Sequence, residues 1–250
     1  MRILRDVSEA EVVAQFLRYE FYHEEFHRDR EQFEAMVLNP DLNNAEEIAM
    51  RRTLLLRRRR NVWLELPADT QWIEAQIEPE DLPRMRVFTR GHFARMTGNN
   101  HHLLDFVERV RTHEISPFAY QHLAKVQSLR YRLRDSSEVS TVFLVGLDEH
   151  SPTTILEGNN RLMAVLLDSF ELWQSRFRFF VGLSPRMGGY VFYECNRANL
   201  VPYAFRALKR KILGTSGSLS FRQTGQDVFL QNRAHTVPNG DNTYQPGLPK

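Results

Sequence analysis

The stretch Thr153-Thr154-Ile155-Leu156-Glu157-Gly158-Asn159-Asn160-Arg161-Leu162 constrains this chain more than any other. Two threonines followed by isoleucine and leucine read as a short buried strand. Gly158 then permits a tight turn, and Asn159 and Asn160 can cap a helix whose apolar face carries Leu162, Met163, Val165 and Leu166. The unit Thr153–Asp168 is therefore a strand–turn–helix. Its neighbours match: Thr141–Leu147 and Arg176–Leu183 read as strands, and Arg161–Leu172 reads as an amphipathic helix. Strands alternating with a helix predict an α/β protein with a mixed sheet.

The turn also has a chemistry. A helix N-terminus presents free N–H groups and the positive end of its dipole, which attract anions. Arg161 adds a bidentate donor suited to phosphate. Glu157 has the wrong sign to meet a phosphate directly. A carboxylate there is useful if it holds Mg²⁺ or accepts a proton from an attacking hydroxyl or water. A purely structural account also stands: Gly158 makes the turn, the asparagines cap, and Arg161 pairs with Glu157.

Upstream, the first third reads helical. Ser8 with Glu11 forms a capping-box pattern, followed by Val12, Val13, Phe16 and Leu17 at helical spacing. A second helix is expected over Asp29–Leu38, stopped by Asn39-Pro40, and a third capped by Asn43 or Asn44. No glycine occurs before Gly91, which suits packed helices. Val62–Leu66 and Gln71–Ile77 are expected as strands, Ile77-Glu78-Pro79 as a strand entering a one-turn helix, and His101–Arg111 and Phe118–Leu133 as helices. The expected organisation is a helical N-terminal region over 1–61, an α/β domain over 62–213 and a disordered tail over 214–250, where Gly, Ser, Gln, Asn and Pro replace apolar periodicity.

Composition narrows the function classes. With a net charge of +2 over 250 residues, the chain does not advertise nucleic acid by bulk electrostatics. Acids dominate residues 1–50, and Arg51, Arg52 and Arg57 to Arg60 follow. The run reads as a solvated basic face beside an acidic one, or as a ridge for phosphate backbones. The lone Cys195 excludes an internal disulfide and a cysteine-based metal knuckle. No signal-peptide core and no membrane-length apolar run occur. A soluble, cytoplasmic protein is expected, without a membrane partner.

His23-Glu24-Glu25-Phe26-His27 is a literal H-E-x-x-H, which on a helix would set two histidines on one face for zinc. Glu25, Arg28, Asp29 and Arg30 crowd the same turns, so a solvated face is expected and no zinc. No P-loop and no G-x-G-x-x-G is present. Ser184 lacks a nucleophile-elbow glycine pattern.

Glu157-Gly158-Asn159-Asn160-Arg161-Leu162, between a strand and an alanine-containing helix, resembles the Asp-Gly-His-His-Arg-Leu type motif of the ParB/sulfiredoxin-like (ParB-like nuclease domain) superfamily. The flanking strands agree with it, over roughly residues 72–193, and the similarity is sharp over 155–167. The resemblance implies nucleotide phosphates bound by Gly158, Asn159, Asn160 and Arg161, with Glu157 at the acidic, catalytic position. It implies phosphoryl transfer or NTP hydrolysis, with Mg²⁺ and a nucleoside triphosphate or diphosphate. Sulfinic-acid reduction is not expected, because Asn159 stands where sulfiredoxins carry cysteine. Chromosome partitioning is not expected either, because Asn159 and Asn160 replace the two middle residues of the Gly-Glu-Arg-Arg turn that partitioning proteins carry ahead of a helix-turn-helix domain, and a tail read as disordered follows soon after. Two other functions remain open: a nucleic-acid-binding or nuclease-like protein using Arg51–Arg60 with the turn, and a non-catalytic interaction protein on the same fold.

Overall fold

The computed structural model describes residues 1–89, 91–98, 100–114, 117–135, 139–168, 173 and 176–213. The expected tail over 214–250 lies outside them. The chain divides into two units, Met1–Ala204 and Phe205–Lys250. The sheet and the candidate site belong to the first. In the second, the described residues 205–213 are helical and expose Phe205, Leu208 and Leu213.

A six-stranded mixed sheet organises the first unit, in the order β1-β2-β6-β4-β5-β3. The strands are β1 (Arg2–Val7), β2 (Gln71–Gln76), β3 (Met85–Arg86), β4 (Ser140–Gly146), β5 (Thr153–Glu157) and β6 (Phe177–Leu183). β4 pairs parallel with β6 and antiparallel with β5; β3 joins β5 in parallel. β1 closes the other edge, antiparallel to β2. The helices around the sheet and the turn are α1 (Glu9–Glu20), α2 (Arg30–Leu38), α3 (Ala45–Trp63), α4 (Gly91–Met96), α5 (Leu103–Arg111), α6 (Pro117–Asp135) and α7 (Asn159–Leu166).

The caps of α1 and α3 form as the sequence predicts, whereas the expected Asn159 or Asn160 cap of α7 does not, because both side chains bond elsewhere. Ser8 Oγ accepts from the Glu11 N–H at the start of α1, and Asn44 Oδ1 accepts from Glu46 and Glu47 at the start of α3. Each satisfies donors that a helix start leaves open.

Aromatic contacts show which helices cover which face. Phe143 of β4 and Phe180 of β6 stand opposite each other in register, so they share a face. Phe16 of α1 packs on Phe143 at 4.8 Å, and Trp63 of α3 packs on Phe16 at 5.4 Å. That face carries the N-terminal helices. Val142 points to the opposite face, where it meets the turn leading into α7, and α5 and α6 pack on α7. Covered on both sides, β4 is buried from Thr141 to Gly146.

Three expectations are corrected. Residues 2–7 form an edge strand, not part of a helical region. Val62 and Trp63 finish α3 and are no strand: Val62 is buried and its carbonyl accepts from Tyr190 Oη at 2.6 Å. A short apolar run does not distinguish helix from strand by periodicity, and here the helix brings both side chains to the core. The His23–His27 segment is no α-helix but a single 3₁₀ turn, Glu24–Phe26, entered from an extended His23 and closed by a helical His27, with Phe26 fully buried.

Candidate functional site: the β5–α7 turn

β5 buries Thr153 to Leu156 and delivers Glu157 to the end of the sheet. Gly158 follows with φ +108°, and a Cβ there would lie 2.9 Å from Val142 Cγ2. Only glycine fits both the conformation and the space. Gly158 is the N-cap of α7 and no side chain caps the helix; the first intrahelical bond runs from Leu162 N–H to Gly158 O. The amides of Asn159, Asn160 and Arg161 precede that bond and form the open donor end of the helix.

The side chains divide the labour. Asn159 is 5% exposed, its Oδ1 accepts from the Phe88 N–H at 2.9 Å, and its amide donates to Ile155 O at 3.4 Å. Its side chain ties the turn to the segment after β3. Asn160 Oδ1 lies 2.6 Å from His122 Nε2 of α6, so the imidazole donates there. The Arg161 guanidinium stacks on Tyr19 of α1, 4.3 Å from the ring centroid. Arg161 Nη2 is 3.6 Å from Glu157 Oε1. Among the described residues, neither Nη of Arg161 has a hydrogen-bond acceptor, although both atoms are buried. Tyr19 is itself fixed, its hydroxyl accepting from the Thr141 N–H at 2.7 Å.

A second arginine reaches the same carboxylate. Arg59 Nη2 lies 3.6 Å from Glu157 Oε2. Arg59 also donates through Nε and Nη2 to Glu20 Oε1, the former at 2.8 Å. Glu20 is buried, and its other oxygen accepts from Arg58 Nε, while Arg58 Nη1 reaches Glu25 at 2.7 Å. Burial works against the charged Arg58 guanidinium, but its bonds to Glu25 and Glu20 outweigh that and raise its pKa.

Three more arginines of the run are paired: Arg51 with Glu47, Arg52 with Glu9, Arg57 with Asp29. Glu9 and Glu20 of α1, with Glu25 and Asp29 of the segment after it, thus meet arginines of α3. Among the described residues, no group of three or more His, Cys, Asp or Glu is arranged to hold a metal ion, and Cys195 is exposed. No described helix is long and apolar enough to cross a membrane. An open hollow of about 360 Å³ lies elsewhere, lined by Leu4, Glu74, Val139, Phe177 and Arg178; none of the turn residues borders it.

The five residues singled out from sequence, Glu157 to Arg161, are thus together by chain continuity. What sequence reasoning missed is what surrounds them: Tyr19, Glu20, Arg59 and His122 come from three other helices. Only the arginine run gave any signal, and spacing could not show which arginine faces the turn. No protein-family model, curated protein or solved structure matches the chain.

Proposed function

We infer that the β5–α7 turn binds the phosphate of a nucleotide or another phosphorylated ligand, in a protein of ParB/sulfiredoxin-like type. One observation carries this reading: an uncapped helix start adjoins a buried guanidinium whose two terminal nitrogens have no acceptor among the described residues. A buried donor without a partner costs roughly 1–3 kcal/mol. A phosphate oxygen pair would satisfy both nitrogens at once, and the backbone amides would take a further oxygen.

The roles differ from residue to residue. Gly158 and the amides of Asn159 and Asn160 offer backbone donors, and Arg161 offers charge. Asn159 supports the turn with its side chain, not the ligand. A nucleoside diphosphate or triphosphate with Mg²⁺ is the favoured ligand class. Phosphoryl transfer or hydrolysis would then fall to Glu157, whose side chain is 28% exposed and whose carboxylate lies 3.6 Å from each of the two arginines. His122, through Asn160, brings an imidazole near a turn that has none of its own.

A non-catalytic interaction protein is the second reading, supported by the internal bonds of Asn159 and the pairing of Glu157. A nucleic-acid ridge over Arg51–Arg60 has less support, since Arg51, Arg52 and Arg57 to Arg59 face acidic partners. A thermal-shift series with ATP, ADP, CTP and GTP, each with and without Mg²⁺, separates these. The anion reading expects stabilisation by at least one nucleotide. Salt-sensitive DNA binding with no nucleotide effect would favour the ridge.

A further inference from the structure

α3 is kinked at Arg59, which has φ −111° and ψ 21° inside an otherwise helical run. The kink falls where α3 passes the β5–α7 turn. Glu20 is 2% exposed and both its oxygens are taken, Oε1 by Arg59 and Oε2 by Arg58. A buried carboxylate with two charged donors is a fixed anchor. It fixes Arg59 in turn, and Arg59 reaches beyond it to Glu157.

Glu157 is therefore divided. Its Oε2 is 3.6 Å from Arg59 and its Oε1 is 3.6 Å from Arg161, both longer than a hydrogen bond. Equal distances mean comparable attraction to the two guanidiniums. The difference lies in what else each arginine holds. Arg59 is committed to Glu20, whereas the Nη atoms of Arg161 have no hydrogen-bond acceptor among the described residues.

We propose that Arg59 is a positioning residue that holds Glu157 back from Arg161, so that the buried Arg161 guanidinium keeps no close carboxylate bond that a phosphate would have to displace. The proposal rests on the anion reading of the turn. Without Arg59, Glu157 loses one of its two cations and closes onto Arg161. The carboxylate then forms the bidentate pair that a phosphate would form, and competes with it. Arg59 thus affects affinity without touching the ligand, and the N-terminal helices become part of the site's control.

Calorimetric titration of the whole chain with inorganic pyrophosphate and with ATP tests this. Arg59→Ala is expected to weaken binding roughly tenfold or more, as loss of a close charge does. Adding Glu157→Gln removes the competing charge, and the double variant is expected to return to within about threefold of the wild type. Arg59→Gln keeps a donor for Glu20 and should weaken binding like Arg59→Ala; it serves if the alanine variant does not fold. Rescue by Glu157→Gln is the outcome a merely structural Arg59 would not give. Unchanged affinity in both Arg59 variants, or a double variant as weak as the single one, would overturn the proposal and leave the anion site standing. A wild type that binds neither pyrophosphate nor ATP would remove the anion site, and this inference with it.

Discussion

Gly158 sits at φ +108° with Val142 where a side chain would go, so it is the least replaceable residue of the turn. Gly158→Ala should cost about 2 kcal/mol or more, from strain in the left-handed region plus the overlap. Urea denaturation reads this, and a loss under 0.5 kcal/mol, roughly the level of a neutral surface change, would mean the turn relaxes freely. Asn159 gives a different signature. Asn159→Ala leaves the buried Phe88 N–H without its acceptor, at an expected cost of about 1–3 kcal/mol. Its effect should appear in stability while phosphate affinity per folded molecule holds. If Asn159→Ala keeps full stability but loses phosphate affinity, its side chain contacts the ligand and does not merely support the turn. The residue pattern was legible where a single backbone position decided matters, as at Gly158 and the Ser8 and Asn44 caps. It was not legible for the asparagine side chains, because their partners Phe88 and His122 lie far away in sequence and no local rule names them.

Among the elements, β1, β2 and β6 are joined by an ion network. Glu74 of β2 accepts from Arg178 of β6 at 2.6 Å and from Arg5 of β1 at 2.7 Å, and Arg5 also reaches Glu11. Arg178, joined by Arg5, holds the Glu74 carboxyl below the usual glutamate range. A depressed carboxyl contributes stability that is fully present above the unfolded value, about 4.3. That contribution is lost as pH falls through the folded value, because the unfolded chain takes up the proton first. Glu74→Gln should therefore flatten the fall in stability between pH 6 and the acid limb. An unchanged slope in urea melts would show that Glu74 is not part of it. The strands behind this network were unevenly readable. β2 and β6 have strong apolar patterns, whereas β1 is exposed from Arg2 to Asp6 and shows none. Val62 and Trp63 failed for the opposite reason, since an apolar run suits a strand or a buried helix end alike.

At the scale of the whole first unit, the helices placed by sequence in a separate N-terminal region cover one face of the sheet. Phe16 lies on Phe143, Trp63 on Trp72, and the buried Glu20 binds the arginine that reaches Glu157. Caps and apolar spacing place α1 and α3 but do not say which surface they cover, so the sequence carries no signal against a boundary at residue 61. A fragment of residues 62–213 would bare that face, and it is expected to show no cooperative thermal transition. A sharp transition with native-like near-ultraviolet dichroism would mean that the two parts fold independently.

Arg161 is the side chain on which the anion site depends. Nucleotide and pyrophosphate affinity should be measured by calorimetry on the wild type, Arg161→Ala and Arg161→Lys, with melting temperatures alongside. The wild type is expected to bind, and Arg161→Ala to lose about 1.5–3 kcal/mol, the worth of a hydrogen bond to a charged group. Arg161→Lys should fall between, because it keeps the charge and loses the paired geometry. Wild-type protein that binds no phosphate ligand, or Arg161→Ala that binds as tightly as the wild type, would contradict an anion site at the β5–α7 turn.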